Sequence, residues 1–130
     1  MIAVTAAIIE TDGLVLTARS GKGKHVEGYW EFPGGKLERN ESPEQCLERE
    51  LKEEFNVVVS VGPFFFENTH QYEEKIVRLL AYEVAYISGD FNLNDHDKIL
   101  WLAPKDLGTV TWAPADIPLV KKHQLLKLSQ

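Results

Sequence analysis

Apolar residues in the first part of the chain fall into short runs that are separated by turn-forming residues. Two runs rich in Val, Ile, Leu and Ala, at 2–10 and 14–18, flank the dipeptide Asp12-Gly13. An Asp-Gly pair readily adopts the backbone conformation of a tight turn, so this pattern predicts a β-hairpin. The polar stretch 20–28 that follows is rich in Gly and Lys and predicts a loop.

A helix is predicted in the middle of the chain from its two ends and from its apolar spacing. Ser42 suits the N-cap position, Pro43 suits the first helical position, and Gln45 completes a capping box. Apolar residues then recur at every fourth position and define a side that faces the core: Leu47, Leu51 and Phe55. Asn56 tolerates a left-handed backbone conformation and is therefore the expected end of the helix.

The second half of the chain contains further strand candidates and one last helix. Strands are expected over about 57–67, 75–87 and 99–102, and a helix is expected over about 115–127. A β-rich pattern with one helix in the middle and one at the end predicts an α/β fold, in which a mixed sheet is sandwiched between helices. No repeat, low-complexity tract or linker divides the sequence, so residues 1–130 are predicted to form a single domain.

The overall charge and the single cysteine narrow the class of protein. The formal net charge is -6 and no basic tail is present, which argues against nucleic acid or an anionic membrane as the main partner. Cys46, the only cysteine, cannot form an intramolecular disulfide, and no secretory segment is recognisable. Both features favour a reducing, cytoplasmic location. The opening apolar run spans about nine residues, which is too short for a membrane helix.

Negative charge is concentrated on the predicted central helix and just before it. Seven glutamates lie between Glu38 and Glu54, against only three basic residues. At about 100° per residue, Glu50, Glu53 and Glu54 lie within one arc beside the apolar side, at the rim of the core. Their mutual repulsion would raise their pKa values and weaken folding unless a divalent cation joined them, and carboxylate oxygens suit Mg²⁺ or Mn²⁺. An acidic helix face that is merely solvated is the alternative.

The surroundings of these glutamates match a longer pattern. The pattern is G-x5-E-x7-R-E-U-x-E-E-x-(G)-U, in which U is an aliphatic residue. The residues that match it are Gly35, Glu41, Arg49, Glu50, Leu51, Glu53, Glu54 and Val57. This sequence resembles the Nudix box, with Asn56 in place of the usual glycine. The resemblance implies the Nudix fold and a metal site formed by the Gly35 carbonyl with Glu50, Glu53 and Glu54. It also implies an ion pair between Arg49 and Glu41 that supports the loop and the helix.

The activity that the resemblance implies is hydrolysis of a nucleoside triphosphate to a monophosphate and pyrophosphate, with Mg²⁺ or Mn²⁺ as cofactor. Metal ions on the phosphate oxygens would neutralise charge and lower the pKa of a bound water. The general base would be a glutamate of the helix, such as Glu50 or Glu53, or a carboxylate on a loop. Asp95 is the loop candidate, because Asp95-His96-x4-Trp101 resembles the E-H-x4-W segment of the MutT-like branch, with aspartate replacing glutamate.

Resemblance to the MutT-like branch extends over most of the chain. WAPADIPLV at 112–120 is similar to the L-A-P-A-D-I-P-L stretch of bacterial CTP pyrophosphohydrolases. Carried over, Asp116 would accept hydrogen bonds from an amino group or ring N–H, as on cytosine or an oxidised guanine, and Phe32 would line the base pocket. Arg19 and Lys36 would hold phosphates. The alternatives are helix capping for Asp116 and plain surface ion pairs for Arg19 and Lys36.

Two other functions remain open at this point. One is hydrolysis of a different nucleoside diphosphate derivative, such as ADP-ribose or a dinucleotide polyphosphate. The other is a non-catalytic Nudix module that binds nucleotide as a sensor, although such modules tend to lose box glutamates and all three are present here. A role in sanitising the nucleotide pool would follow by family analogy alone. In each case the expected partner is a small-molecule nucleotide, and the expected state is a monomer or weak homodimer.

Overall fold

The computed structural model describes residues 1–129 and contains seven strands, two α-helices and two short 3₁₀ helices. The strands are β1 Ile2–Thr11, β2 Leu14–Ser20, β3 Trp30–Glu31, β4 Gly34–Lys36, β5 Val58–Gln71, β6 Ile76–Ser88 and β7 His96–Leu102. The α-helices are α1 Pro43–Phe55 and α2 Ile117–Leu128, and the 3₁₀ helices are Pro104–Thr109 and Pro114–Asp116.

The sheet is mixed, and β1 lies at its centre. The strand order is β3-β2-β1-β6-β5, with β4 paired to β1 and β7 paired to β2. β1 and β6 run parallel, and the other pairs are antiparallel. Asp12 and Gly13 both have positive φ, at 53° and 78°, so the predicted hairpin turn between β1 and β2 is confirmed.

Alternate residues of β1 face opposite sides of the sheet and build two separate cores. Ala6 and Ile8 pack in a cluster that includes Leu119 of α2. Ala7 and Ile9 pack in the other cluster, which contains the predicted apolar side of α1: Leu47, Leu51 and Phe55. One helix therefore covers each face, and the predicted sandwich of a mixed sheet between helices is confirmed.

The ends of α1 form as the sequence indicates. The Ser42 hydroxyl accepts a hydrogen bond from the Gln45 amide at 3.1 Å, and the Gln45 side chain accepts one from the Ser42 amide at 2.9 Å. Asn56 ends the helix in the left-handed conformation, with φ 59° and ψ 36°. The helix is therefore fixed at both ends, and the position of each glutamate along it follows.

Three boundaries differ from the sequence prediction. β5 continues to Gln71 instead of ending near 67, because its polar second half pairs with the apolar start of β6, for example Asn68 with Leu79. β7 begins at His96 instead of 99, because it pairs with the end of β2 across an irregularity. The last helix is 3₁₀ over Pro114–Asp116 before α2 begins. No helix within residues 1–129 is long and apolar enough to cross a membrane.

Candidate active site

A cavity of about 480 Å³ opens between the start of β1, the loop 20–28, α1 and the turn between β5 and β6. Most of the predicted site residues line it: Phe32, Gly35, Lys36, Glu50, Glu54, Asp95 and Asp116. Arg49 and Glu53 do not line it, but Arg49 contacts both Glu50 and Glu53. The fold thus brings together residues that are far apart in the chain.

Glu50 lies directly against Gly35. A Cβ atom on Gly35 would overlap the carboxylate carbon and both oxygens of Glu50, so only glycine leaves room for this carboxylate. Glu50 accepts a hydrogen bond from Arg49 Nη1 at 2.9 Å, and its side chain is 15% exposed. Burial raises the pKa of Glu50, and the arginine opposes that shift. The Gly35 carbonyl in turn accepts a hydrogen bond from the Thr5 hydroxyl at 3.1 Å.

Glu54 and Asp95 are two further carboxylates of the cavity, and the loop 20–28 supports them. The Asp95 amide donates to Glu54 Oε2 at 3.2 Å, and Lys24 Nζ lies 3.1 Å from Asp95 Oδ2. Burial raises the pKa of Glu54, whereas hydrogen bonding to Lys24 lowers the pKa of Asp95. The Gly21 amide donates to the Asp95 carbonyl at 2.9 Å, which fixes the loop against this segment.

Arg49 joins the loop before α1 to the helix. Its guanidinium makes two hydrogen bonds to Glu41, from Nη2 to Oε1 at 2.7 Å and from Nε to Oε2 at 3.1 Å, and a third to the Lys36 carbonyl at 3.2 Å. These bonds to Arg49, followed by one from the Glu38 amide, lower the pKa of Glu41 to about 2. The ion pair expected between Arg49 and Glu41 is therefore present.

Asp116 lies elsewhere in the same cavity and is almost completely buried, with 5% of its surface exposed. Its Oδ2 accepts a hydrogen bond from the Phe32 amide at 3.0 Å. Burial, and then the nearby charge of Glu31, raise the pKa of Asp116 well above its usual value. Its side chain makes no capping hydrogen bond to α2, which excludes the capping alternative.

Comparison with known proteins decides the family. The NUDIX domain family matches residues 1–123. The chain belongs to the NUDIX family. It is 36% identical over 130 residues to the CTP pyrophosphohydrolase of Escherichia coli, covering 100% of this chain and 96% of that protein. It is 30% identical over 127 residues to the 8-oxo-dGTP diphosphatase of Haemophilus influenzae, covering 97% of this chain and 92% of the relative.

A solved structure shares this fold. The solution structure of the E. coli ORF135 protein matches with a TM-score of 0.88 and 36% identity, covering 100% of this chain and 93% of that one. The MutT-like resemblance, the Nudix fold and the class of enzyme, a Nudix hydrolase, are thereby confirmed. The roles of individual site residues stay predictions.

The carboxylates of this Nudix site are compatible with a hard divalent cation, although they do not converge on one point. Within residues 1–129, no group of three or more His, Cys, Asp and Glu side chains is arranged around a common centre. Glu53 is directed toward Arg49, at 3.3 Å, and is 58% exposed. The Gly35 carbonyl and the Glu50 carboxylate nevertheless adjoin, and the charge of Glu50 raises the pKa of Glu54. Oxygen donors of this kind suit a hard divalent cation.

The two predicted phosphate-binding residues of this Nudix domain differ in placement. Lys36 lines the cavity, and its ammonium group has no carboxylate partner among residues 1–129. Arg19 does not line the cavity and instead forms an ion pair with Asp97, with Nε 2.7 Å from Oδ1. Arg19 is therefore part of a surface ion pair, which was the alternative to its predicted role in phosphate binding.

Some residues that line the Nudix cavity were not singled out from the sequence. His96 Nε2 lies 2.7 Å from Glu31 Oε2, and the His96 ring stacks on Phe55 with centroids 5.0 Å apart. Tyr72 lines the cavity and contacts the edge of the His25 ring. Glu31 and His96 stand 65 residues apart, so no local spacing could reveal the pair. The only available signal was that both occur within motifs shared with the MutT-like branch.

Proposed function

We propose that this Nudix hydrolase cleaves a nucleoside triphosphate into nucleoside monophosphate and pyrophosphate with Mg²⁺ as cofactor. The observation that carries the proposal is that one cavity is lined both by carboxylates of α1, the helix of the Nudix box, and by the buried carboxyl of Asp116. A nucleotide has the corresponding two parts, an anionic phosphate chain and a base that presents hydrogen-bonding groups.

The metal would be held by the Gly35 carbonyl together with Glu50, Glu53 and Glu54. When bound, it would neutralise the phosphate oxygens and lower the pKa of a coordinated water. Arg49 supports this arrangement because it bonds to Glu50 and to the Lys36 carbonyl on the adjoining strand. Lys36 lines the cavity and is available to contact a phosphate.

Two kinds of group could accept a proton from the attacking water. The box glutamates Glu50 and Glu53 are one kind, and Asp95, which adjoins Glu54, is the other. Lys24 holds Asp95 on the cavity side of its loop. Replacing Asp95 with asparagine keeps its size and removes its basicity, so full activity of Asp95→Asn would leave the box glutamates as the base.

The base preference is inferred from Asp116. A carboxyl group in a dry pocket rewards a base that offers a complementary amino group or ring N–H, because an unmet partner would leave a buried polar group unpaired. Cytosine and 8-oxoguanine both carry an exocyclic amino group. The relatives named as CTP pyrophosphohydrolase and 8-oxo-dGTP diphosphatase support a substrate of this kind.

The test is a panel of nucleotides assayed with and without Mg²⁺. The panel contains CTP, dCTP, GTP, 8-oxo-dGTP, ADP-ribose and diadenosine polyphosphates, and both wild type and Glu53→Gln are assayed. Selective Mg²⁺-dependent cleavage of CTP, dCTP or 8-oxo-dGTP that is lost in the variant supports the proposal. Preferential cleavage of ADP-ribose or a diadenosine polyphosphate would show that the substrate is not a nucleoside triphosphate. Nucleotide binding without cleavage of any compound would indicate a sensor module.

A further inference from the structure

The segment that carries Asp116 is held on one side by the backbone around β3. The Trp30 amide donates to the Thr111 carbonyl at 2.9 Å, and the Ala113 amide donates to the Trp30 carbonyl at 2.8 Å. The Phe32 amide then donates to the Asp116 carboxyl itself. These three bonds fix the start of the segment and the side chain at its end.

Two side chains, one near the end of β5 and one just after it, hold the same segment from the other side. The Ala115 amide donates to the Tyr72 hydroxyl at 3.1 Å, and the Asn68 side-chain amide donates to the Ala115 carbonyl at 3.0 Å. Asn68 belongs to β5, and Tyr72 is the first residue after that strand. Ala115 is only 4% exposed, so water would not easily replace either bond. Both backbone polar groups of Ala115 are therefore satisfied by Asn68 and Tyr72.

This clamp on Ala115, formed by Asn68 and Tyr72, acts directly next to Asp116. Among residues 1–129, the Asp116 side chain has one hydrogen-bond partner, the Phe32 amide, so its position depends strongly on the backbone that precedes it. Asn68 does not line the cavity, whereas Tyr72 does. The hydrogen bond to Ala115 is the contact that joins Asn68 to the segment carrying Asp116.

We propose that Asn68 and Tyr72 are positioning residues that fix the Asp116 carboxyl for base recognition. The inference rests on the proposed function, because it assumes that Asp116 contacts the base. A displacement of about 1 Å is enough to spoil a hydrogen bond aimed at one edge of a base. Loss of either clamp bond should thus weaken recognition of the base and leave the phosphate chemistry at the carboxylates unchanged.

The experiment compares Asn68→Ala and Tyr72→Phe with wild type on two matched nucleotides, one with and one without the exocyclic amino group. CTP is compared with UTP, or 8-oxo-dGTP with 8-oxo-dITP if the oxidised nucleotide is the better substrate. Each variant is expected to raise KM for the amino-bearing nucleotide about 5- to 10-fold, the typical effect of one hydrogen bond. The kcat value is expected to stay within about twofold, and the preference in kcat/KM should fall.

Tyr86→Phe is the matched control. Tyr86 also donates its hydroxyl to a backbone carbonyl, that of Gly89, but it lies outside the cavity. This control should leave both KM and the preference unchanged. Thermal unfolding of each variant is measured in parallel, and assays are run well below the lowest midpoint. A clamp that merely stabilised the fold would lower the midpoint without changing the preference, which would overturn the inference.

A double-mutant comparison with Asp116→Leu, which keeps a similar size and has no hydrogen-bond acceptor, tests base recognition and positioning separately. If the clamp works through Asp116, adding Asn68→Ala to Asp116→Leu produces no further loss of preference. If Asp116→Leu lowers the preference and Asn68→Ala does not, the positioning role is wrong and the proposed function stands. If Asp116→Leu itself leaves the preference unchanged, base recognition by Asp116 fails and the inference fails with it.

Discussion

At the scale of single residues, the contact between Gly35 and Glu50 ties the position of a carboxylate to a glycine. The Glu50 carboxylate occupies the space that a side chain on Gly35 would need. Gly35→Ala is expected to displace Glu50 and to lower kcat/KM by about 100-fold, since small misplacements of catalytic groups have effects of that size. The measurement is steady-state kinetics with Mg²⁺.

Gly108→Ala is the control for this substitution, because a Cβ atom on Gly108 would meet nothing within 4 Å. It should keep full activity. Equal activities of the two alanine variants would show that Glu50 does not need its observed position.

Asp116 gives a prediction about stability and pH. Because burial raises its pKa in the folded protein, the folded state holds this proton more tightly than the unfolded chain, whose value is about 3.9. Between the unfolded and the folded pKa, rising pH therefore costs stability. Asp116→Asn removes the cost, so its free energy of unfolding relative to wild type should rise as the pH increases above about 4.

Urea unfolding of both proteins at a series of pH values between 4 and 8 measures this difference. A difference that is flat over the whole range would mean that Asp116 titrates in the folded protein as it does in the unfolded chain. The conclusion that its carboxyl lies in a dry, charge-repelling pocket would then be wrong.

Part of the site could be predicted from the sequence because its residues lie at fixed spacings within one short motif. Gly35, Glu50 and Glu54 belong to a motif that is contiguous in sequence, and they adjoin in the structure. Arg19 differs, because its ion pair with Asp97 spans 78 residues and depends on how β2 and β7 align. The pair formed by Glu31 of β3 with His96 of β7 depends on how both strands align with β2.

At the scale of elements, α1 was the most predictable part, because its signals are local. Ser42, Gln45 and Asn56 determine its ends through contacts that span only a few residues. Residues 68–71 at the end of β5 were missed because they are polar and lack the hydrophobic alternation of a strand, and their pairing with β6 supplies their backbone partners. Tertiary pairing therefore overrode the local pattern.

The cap of α1 is expected to be worth about 1 kcal/mol. Ser42→Ala removes the hydroxyl that accepts the Gln45 amide proton, and it should lower the free energy of unfolding by about that amount. Ser129→Ala, at the exposed end of the chain, is the comparison and should change stability by less than about 0.5 kcal/mol. Chemical denaturation measures both, and equal effects would contradict the capping role.

At the scale of the whole molecule, α1 and α2 cover opposite faces of the sheet, and the cavity opens between β1, the loop 20–28, α1 and the turn between β5 and β6. The order of strands and helices along the sequence predicted a mixed sheet with helices, and the Nudix resemblance implied the same fold. It did not predict the clamp on Ala115, whose bonds span 43 and 47 residues. Location in the cell and oligomeric state stay predictions.

Mg²⁺ should stabilise the whole fold, because a ligand that binds only the native state raises the free energy of unfolding. At a Mg²⁺ concentration about 100 times its dissociation constant, the gain is about 2.7 kcal/mol. Potassium chloride at equal ionic strength is the control for screening of the acidic surface. The melting midpoint should rise with Mg²⁺ and much less with the control salt, and the rise should shrink in Glu50→Gln.

The most direct test of the proposed activity is the product ratio from CTP or 8-oxo-dGTP in the presence of Mg²⁺. Nucleoside monophosphate and pyrophosphate are expected in equal amounts, with the rate reduced about 100-fold or more in Glu53→Gln. Release of orthophosphate and nucleoside diphosphate, or full activity in the Glu53→Gln variant, would contradict a Nudix pyrophosphohydrolase whose metal is held by the glutamates of α1.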